Sequence, residues 1–470
     1  MSAIALRVYA LLMWLAQPLL RRKLARRARE ESGYSDLVSE RFGHYTQPPE
    51  ATASLVWVHA VSLGETRTAA ILLKALRAAQ PGLRILLTHG TATGRTEGAN
   101  LLQPGDVQVW QPWDSKAVVA RFFSHFKPRL GLLMETEVWP NLVTGAQARH
   151  MPLVLVNGRL SDKSLQQALR MAPLSYPAYG ALTKVYAQTG EDARRYRQLG
   201  VEVAGVFGNL KFDAAPSEAQ QLAGKSWRTA LAMPVVMFAS SREGEENEFF
   251  RQISARAEEG RAQGAINSAV SDGLPMVKFM VVPRHPQRFD EVYALALQLG
   301  LRVSRRSGWA AGPADSEEAL AADVWLGDSL GEMALYYGLS DVALLGGSFA
   351  PLGGQNLIEA AACACPVVMG PHTFNFAEAA ELAEAAGAAR RVAGMPHAMR
   401  IALQMASHPD VQAKAAASGL AFAVRNRGAT ARTLAALQTY LLAPANSSAQ
   451  SVSHLPPHPI AKHHNLTDTP

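Results

Sequence analysis

Cysteine is almost absent from this chain. Of its 470 residues only two are cysteines, Cys363 and Cys365, and both lie in the apolar segment 361–366. They are too close in sequence for an easy disulfide, so a scaffold held together by disulfides is excluded. We expect both to be small buried side chains rather than metal ligands. This cysteine usage suits a reducing compartment.

Charged residues are also few. They make up 18% of the chain, against 48% hydrophobic residues, which excludes a disordered protein and predicts a globular one. A chain of 470 residues is too long for one ordinary core, so two domains are expected. The formal net charge of +7 suits nucleic acid, anionic lipid or a phosphorylated substrate, and it does not distinguish among them.

One apolar run stands apart, at the N-terminus. Residues 4–20 are apolar apart from Arg7 and Gln17, and their length is near the lower limit for spanning a bilayer. A cationic cluster follows, made up of Arg21, Arg22, Lys23, Arg26, Arg27 and Arg29. Its position favours a cytosolic location for the rest of the chain. Residues 1–30 are therefore predicted to be a membrane anchor or an in-plane helix held by anionic lipids, with a buried first helix as the alternative.

Short apolar runs alternate with helix-length segments over the rest of the chain. This pattern predicts an α/β fold with doubly wound parallel sheets that helices cover on both faces. The predicted strands are 55–58, 84–88, 107–110, 130–134, 153–156, 184–187, 203–207, 235–239, 276–282, 323–326, 342–345, 367–369 and 390–392.

A linker-like segment near residue 213 divides these strands into two series. We therefore expect two Rossmann-like domains, over 31–213 and 214–442, with the carboxyl ends of both sheets facing a central cleft. Residues 260–274 are expected to form a surface insertion, and residues 443–470 a disordered tail.

The most informative motif is the segment Gly346–Glu359. It carries two glycine pairs and a proline between a predicted strand and a helix expected over 356–364. Such a loop lets backbone approach a ligand, and the start of a helix favours an anion such as phosphate. Glu359 lies one turn into that helix, where it can accept hydrogen bonds from sugar hydroxyls. These features predict a nucleotide-sugar pocket, and the alternative is a glycine-rich turn with a solvated glutamate.

Acidic residues follow two strands of the first series. Glu65 opens a helix after the first predicted strand, where its carboxylate is a candidate base for an acceptor hydroxyl. Glu135 and Glu137 follow the fourth predicted strand, where one of them could stabilise charge at the reacting centre. The alternative for all three is an ordinary carboxylate at a helix start.

Cationic residues occupy similar junctions. Arg284 follows the strand 276–282, where a guanidinium can bind phosphate. Lys211 lies where the domains should join and could offset the charge of a leaving group, Arg159 is a candidate anion contact, and the turn 327–333 could frame a base or phosphate. Exposed side chains and an ordinary capped helix explain each of these separately. Their convergence on one rim is the stronger indication of a site.

Taken together, these motifs resemble those of the 3-deoxy-D-manno-oct-2-ulosonic acid (Kdo) transferases of lipopolysaccharide synthesis. The resemblance runs in order over nearly all of the chain up to about residue 440. The matching blocks are 40–43, 59–65, 134–141, 156–164, 208–213, 282–289, 327–333, 346–359 and 369–376.

This resemblance implies a GT-B fold and an inverting glycosyltransferase that moves Kdo from CMP-Kdo to the 6′-hydroxyl of a tetraacylated lipid A precursor. Glu65 matches the general base, Lys211 matches a residue that stabilises the transition state, and Glu135 matches an assisting acid with Glu137 as its alternative. The segments that match the CMP site are Pro283-Arg284, Gly331-Glu332-Met333 and Asn356-Leu357-Ile358-Glu359. CMP-Kdo is the donor substrate, so neither a cofactor nor a metal is required, although the two neighbouring acids leave a metal open.

The resemblance also implies a location on the cytoplasmic side of the inner membrane, with anionic lipids and no nucleic acid as partners. Two positions depart from the family pattern, because Arg242 and Gln355 stand where the family usually has histidine. One rival function is a hexosyltransferase or epimerase that uses a UDP-sugar. The other is a non-enzymatic binder of anionic lipid or nucleic acid, which predicts cationic residues clustered across the folded body. The densest cluster is instead at 21–29.

Overall fold

The computed structural model describes residues 2–52, 54–262 and 276–442. Contacts within the chain divide it into two compact units. The first unit comprises Met1–Ala69, Leu76–Gly205 and the chain from Thr433 onward, and the second comprises Ala70–Ala75 and Val206–Arg432. Residues 263–274 of the expected insertion, and the whole of the expected tail 443–470, lie outside the described residues.

The first unit is built on a seven-stranded parallel sheet in the order β3-β2-β1-β4-β5-β6-β7. Every residue of β1, β2 and β4 is buried, as expected for a parallel sheet covered on both faces. The strands are β1 (Val56–His59), β2 (Ile85–His89), β3 (Val107–Trp110), β4 (Leu130–Met134), β5 (Leu153–Gly158), β6 (Lys184–Ala187) and β7 (Val203–Val206).

The second unit is built on a further seven-stranded parallel sheet, in the order β10-β11-β9-β8-β12-β13-β14. Strand β8 lies between β9 and β12, so the chain segments that leave these three strands meet at one edge. The strands are β8 (Val235–Ser241), β9 (Lys278–Pro283), β10 (Val303–Arg305), β11 (Val324–Leu326), β12 (Val342–Leu345), β13 (Val367–Met369) and β14 (Ala389–Arg391).

Helices connect the strands and cover the sheets. In chain order they are α1 (Ser2–Leu15), α2 (Gln17–Glu30), α3 (Leu63–Ala79), α4 (Ala92–Ala99), α5 (Lys116–Phe126), α6 (Pro140–Gln147), α7 (Asp162–Arg170), α8 (Ala172–Gly180), α9 (Gly190–Gln198), α10 (Glu218–Ala230), α11 (Glu245–Ala262), α12 (Phe289–Gln298), α13 (Glu317–Ala321), α14 (Met333–Leu339), α15 (Leu357–Ala362), α16 (Ala377–Ala385), α17 (Met395–Ser407), α18 (Pro409–Asn426) and α19 (Ala429–Leu442).

The predicted α/β fold class is confirmed. All thirteen predicted strands form, each with limits within two residues of those expected. The sequence did not predict β10, a short edge strand whose residues Val-Ser-Arg contain no apolar run. The helix expected over 356–364 is shorter, because it ends at Ala362 and Ala364 has a φ of +57°. Both cysteines are free and buried, as expected.

The N-terminal apolar run forms two helices rather than one. Helices α1 and α2 meet at Ala16 with a bend of 49°. Within residues 2–52, 54–262 and 276–442 no single helix has both the length and the apolarity to cross a bilayer. The two helices satisfy that requirement only when they are taken together as a bent pair.

Helix α1 is fastened to the first unit on one side. The Tyr9 hydroxyl donates a 2.8 Å hydrogen bond to Asp114, and the indole N–H of Trp113 donates one of 2.8 Å to the Met13 carbonyl. Asp114 also accepts the backbone N–H groups of Asn141 and Leu142 at the start of α6. Burial raises the pKa of Asp114 to about 6. The pair also presents exposed apolar side chains, and three of them, Ile4, Val8 and Leu12, line a groove with Met171, Pro173 and Leu174 of the first unit. The exposed apolar side chains are Ile4, Val8, Leu11, Leu12, Trp14, Leu15 and Leu19.

Candidate functional site

The carboxylate of Glu65 is held by a capping box where β1 leads into α3. Ser62 is the N-cap, and its hydroxyl accepts the Glu65 backbone N–H at 3.3 Å. The Glu65 Oε2 atom accepts the backbone N–H groups of Ser62 and Val61 in return. This reciprocal arrangement satisfies the first unpaired N–H groups of the helix and fixes the direction of the carboxylate.

The second carboxylate oxygen of Glu65 takes no part in the capping box. Its Oε1 atom has no hydrogen-bond partner among the described residues, although only 9% of the residue is exposed. Burial and the negative charges of Glu137 and Glu135 together raise the pKa of Glu65 to about 7, against the lowering effect of the two backbone N–H bonds. A base with a pKa near neutrality can accept a proton and release it again at neutral pH.

Glu135 lies directly after β4, next to the strand that leads to Glu65. Its backbone has a φ of +58°, a left-handed conformation that costs a non-glycine residue about 1–2 kcal/mol. Its Oε1 atom accepts a 3.4 Å hydrogen bond from the Thr68 hydroxyl on α3 and one of 3.5 Å from the Asn157 amide at the end of β5. Three neighbouring elements therefore converge on this carboxylate.

Glu137 completes a group of three acids at this edge of the first sheet. The indole N–H of Trp139 donates a 2.7 Å hydrogen bond to its carboxylate, and burial raises the pKa of Glu137. The structure thus brings Glu65, Glu135 and Glu137 together. Arg159 is exposed, and its described contact with this group is made by its backbone N–H, which donates to the Glu135 carbonyl at 3.1 Å.

In the second unit, the first half of the glycine-rich segment is bound by an internal carboxylate. Glu245, in the first turn of α11, accepts the backbone N–H groups of Gly347, Phe349 and Ala350 at 2.7, 2.9 and 3.1 Å. It also accepts the Arg242 N–H at 3.0 Å. These loop N–H groups are therefore satisfied within the protein. Sequence reasoning gave Glu245 no role, because an acid in a first helical turn looks like an ordinary complement to the helix dipole.

The second half of the segment turns sharply before α15. Gly353 has a φ of +89°, and a Cβ atom there would lie 2.3 Å from the side-chain amide nitrogen of Asn375. Asn356 is the N-cap of α15, and its side chain accepts the Ile358 N–H at 3.1 Å. The side chains of Leu357 and Ile358 are each 1% exposed and pack in the core, so these two residues position the segment through their backbone.

Arg284 and Glu359 face each other at this edge. Arg284 follows Pro283 at the end of β9, and its backbone N–H donates to the Ser241 carbonyl at 3.0 Å. Burial raises the pKa of the Glu359 carboxyl, and the positive charge of Arg284 opposes that rise. The structure therefore brings together a cation and an acid that the sequence placed 75 positions apart.

A buried ion pair holds the turns that carry these groups. The guanidinium of Arg288 donates two hydrogen bonds to Glu246, of 2.6 and 3.4 Å, and both side chains are almost fully buried. The Ser241 hydroxyl donates to the same carboxylate at 2.9 Å. The turn after β8 is thus fixed to the turn after β9.

The remaining predicted residues of the second unit lie in two further turns. Gly331 has a φ of +77°, Glu332 forms a 3.0 Å ion pair with Arg306, and Met333 begins α14. Lys211 lies in a short 3₁₀ turn, with its Nζ atom 5.9 Å from the centroid of the Phe376 ring.

Arg242 and Gln355, the two expected departures from the resembled family, both lie beside Gly347. A Cβ atom on Gly347 would be 3.2 Å from the Nε2 atom of Gln355 and 3.5 Å from the Cγ atom of Arg242. They are 113 positions apart in the chain, so nothing in the sequence shows that they are neighbours. In the described part of the chain, no group of three or more His, Cys, Asp or Glu side chains is arranged to hold a metal ion.

Comparison with known proteins relates this chain to one family. A family model described as "3-Deoxy-D-manno-octulosonic-acid transferase (kdotransferase)" matches residues 37–214. The 3-deoxy-D-manno-octulosonic acid transferase of Bordetella pertussis is 44% identical over 92% of this chain and 99% of its own length. The enzyme of the same name from Haemophilus influenzae is 28% identical over 92% and 98%. A glycosyltransferase structure from Rickettsia africae is similar in fold, with 12% identity, 83% and 99% coverage, and a TM-score of 0.51.

Proposed function

Because the chain belongs to the 3-deoxy-D-manno-octulosonic acid (Kdo) transferase family and is an enzyme of that class, we propose the full reaction that its residues support. It transfers Kdo from CMP-Kdo to the 6′-hydroxyl of a tetraacylated lipid A precursor, with inversion at the anomeric carbon. The two seven-stranded parallel sheets are those of a GT-B fold. The first unit binds the lipid acceptor and the second binds the donor.

The observation that carries this proposal is the geometry of Glu65. One carboxylate oxygen is held by two backbone N–H groups, and the other has no partner among the described residues. That second oxygen takes the proton of the acceptor hydroxyl while the hydroxyl oxygen forms its bond to the anomeric carbon. The bond from that carbon to the phosphate oxygen breaks, and its electron pair leaves with CMP. Glu65 then returns its proton to solvent.

The neighbouring acids assist in this proposal. Glu135 and Glu137 keep the pKa of Glu65 near neutrality through their negative charges. Glu135 is the assisting acid, since its charge stabilises the positive charge that develops at the anomeric carbon. Its left-handed backbone and its contact with Thr68 hold it beside α3, which carries Glu65.

Donor binding is assigned to the second unit. Arg284 balances the charge of the phosphate, and Glu359 accepts hydrogen bonds from the ribose hydroxyls. The turn 331–333 and the backbone of residues 356–358 frame the nucleotide. Lys211 stabilises the negative charge that builds on the departing CMP.

A Glu65→Gln variant of the full chain tests the base. Glutamine keeps an acceptor for the Val61 and Ser62 N–H groups, whereas alanine would also remove the capping box at a cost of about 1 kcal/mol. We expect the rate of Kdo transfer, measured by mass spectrometry of the lipid product, to fall by about 10²- to 10⁴-fold. The affinity for CMP, measured by calorimetry, should be unchanged. Glu191→Gln is the matched control, since Glu191 is exposed in the same unit. Normal turnover by Glu65→Gln would show that another group is the base.

The bent N-terminal pair supports a location on the cytoplasmic side of the inner membrane. Many of its apolar side chains are exposed, while the Tyr9–Asp114 hydrogen bond fixes α1 against the first unit. We therefore propose that the pair lies in the plane of the interface, with the cations of α2 bound to anionic lipid headgroups and no nucleic acid as partner.

Sedimentation with lipid vesicles tests this location. The protein should bind vesicles that contain phosphatidylglycerol more tightly than vesicles of phosphatidylcholine alone, and salt should weaken that binding. Leu11→Glu with Leu12→Glu should abolish the binding, whereas the control Leu420→Glu, also an exposed leucine, should not. Equal binding to neutral and anionic vesicles would contradict a role for the cations.

A further inference from the structure

The donor of the proposed reaction carries two anionic groups. One is the phosphate of CMP, and the other is the carboxylate of the acidic sugar, which is ionised at neutral pH. Two sets of hydrogen-bond donors are therefore needed at the edge of the second sheet, either cationic side chains or free backbone N–H groups. The backbone N–H groups of Gly347, Phe349 and Ala350 do not supply one, because Glu245 already occupies them.

Two arginines reach this edge from adjacent strands. Arg242 follows β8, and Arg284 follows β9. The positive charges of both lower the pKa of His285, in addition to its burial, so both guanidinium groups lie near that imidazole. The positive charge of Arg284 also opposes the rise in the pKa of Glu359, the residue to which the proposed function assigns the ribose. Arg242 lies against the glycine-rich segment, with its Cγ atom 3.5 Å from where a Cβ atom on Gly347 would be.

Within the described residues, hydrogen bonds position Arg242 but engage only one of the three nitrogen atoms of its guanidinium. Its backbone N–H is bound by Glu245, and its Nε atom donates a 2.9 Å hydrogen bond to Glu243. Its two Nη groups have no hydrogen-bond partner in the part of the chain that the structure describes, and 25% of the side chain is exposed. Its Cγ atom and the Gln355 amide lie on the same face of Gly347. The stem of Arg242 and the side-chain amide of Gln355 thus lie side by side against Gly347, and both side chains carry hydrogen-bond donors.

We propose that Arg242, with the amide of Gln355, binds the carboxylate of the donor sugar and so selects an acidic sugar. Arg284 binds the phosphate. A guanidinium fork matches the two oxygens of a carboxylate, which an ammonium group or an imidazole does not. This assignment rests on the proposed function and adds a specificity contact to it.

The test separates the sugar from the nucleotide. The KM for CMP-Kdo and the inhibition constant of CMP, which lacks the sugar carboxylate, are measured for the full chain and for Arg242→Gln and Arg242→Lys. Arg242→Gln should raise the KM about 10- to 100-fold, the effect of losing charge-assisted hydrogen bonds, and leave the CMP constant within about twofold. Arg242→Lys should give an intermediate KM. Arg284→Gln should raise both constants.

Arg302→Gln is the matched control, because Arg302 is an exposed arginine of the same unit whose partner is Asp323. Its constants should equal those of the unsubstituted chain. An unchanged KM in Arg242→Gln, or equal increases in KM and in the CMP constant, would overturn the proposal. A complete lack of turnover by the unsubstituted chain would instead contradict the proposed function itself.

Discussion

The carboxylate of Glu245 accepts a 2.7 Å hydrogen bond from the backbone N–H of Gly347, 102 positions away in the chain. With Phe349 and Ala350, three backbone donors within four residues of the glycine-rich segment converge on one buried acid. A loop rich in glycine has high conformational entropy, and these bonds offset it by fixing one backbone path. The segment is therefore shaped before any ligand arrives.

Glu245→Gln should weaken donor binding indirectly, because Glu245 holds the backbone of the glycine-rich segment and is not itself assigned a contact with the donor. The amide keeps one acceptor oxygen but loses the charge and one oxygen, so one or two loop N–H groups lose their partner. We expect CMP affinity to fall about 5- to 20-fold and the free energy of unfolding to fall by about 1–3 kcal/mol. Calorimetry and urea unfolding measure the two effects. Glu248→Gln on the same helix is the control, since the described contact of Glu248 is with Gln252. Unchanged affinity in Glu245→Gln would contradict a role in shaping the loop.

The rate of transfer should depend on pH through Glu65. The base must be deprotonated, and burial raises its pKa from 4.5 to about 7. The value of kcat/KM should therefore rise about tenfold per pH unit up to about pH 7 and be flat above it. Glu137→Gln removes a nearby negative charge, so it should move the midpoint to lower pH. Glu191→Gln, with its exposed side chain, should leave the midpoint in place. An unmoved midpoint in Glu137→Gln would contradict the proximity of the two acids.

Stability in acid should depend on His59. This histidine is fully buried between strands, and burial lowers its pKa from 6.5 to about 3. The unfolded chain binds a proton below pH 6.5 that the folded chain does not, so the stability of the folded chain falls as pH falls below 6.5. The loss is roughly 1.4 kcal/mol per pH unit for this one group.

Urea unfolding at pH 7.5 and pH 5.0 checks this sign. The difference in unfolding free energy between the two pH values should be smaller in His59→Gln by about 2 kcal/mol. His44→Gln should not change it, because His44 is exposed in the same unit. A difference in His59→Gln as large as that of the unsubstituted chain would show that His59 is protonated when folded.

The Tyr9–Asp114 hydrogen bond should control the docking of α1. Tyr9→Phe removes a hydrogen bond to a carboxylate, a loss of about 1.5–3 kcal/mol in the free energy that holds the helix. The exposed Arg7 should then be cut faster by trypsin, as followed by mass spectrometry of the released peptide. The control Tyr176→Phe, which changes an exposed tyrosine, should be cut by trypsin at the same rate as the unsubstituted chain. Equal rates for Tyr9→Phe and the unsubstituted chain would mean that the apolar contacts of α1 suffice.

Much of this protein could be predicted from local patterns in the sequence. Buried parallel strands appear as short apolar runs, so thirteen of fourteen strands were located, and β10 was missed because its polar residues lie at an edge. Glu65, Glu135, Arg284 and Glu359 could be selected as well, because each directly follows a strand or opens a helix. The apolar run before a cationic cluster also marked the N-terminal pair, although not its bend.

Tertiary structure alone decided which of these groups meet. The Glu245–Gly347 and Tyr9–Asp114 hydrogen bonds join residues that are 102 and 105 positions apart. Arg242 and Gln355 both lie beside Gly347, although they are 113 positions apart in the chain. Periodicity and caps are local, since they arise from hydrogen bonds within about four residues and from the alternation of side chains. Contacts across sheet edges arise instead from strand order, which places β8 between β9 and β12. The sequence therefore determined the fold class and the candidate acids and cations. The strand order decided which residues meet at the edge of the first sheet and which meet at the edge of the second.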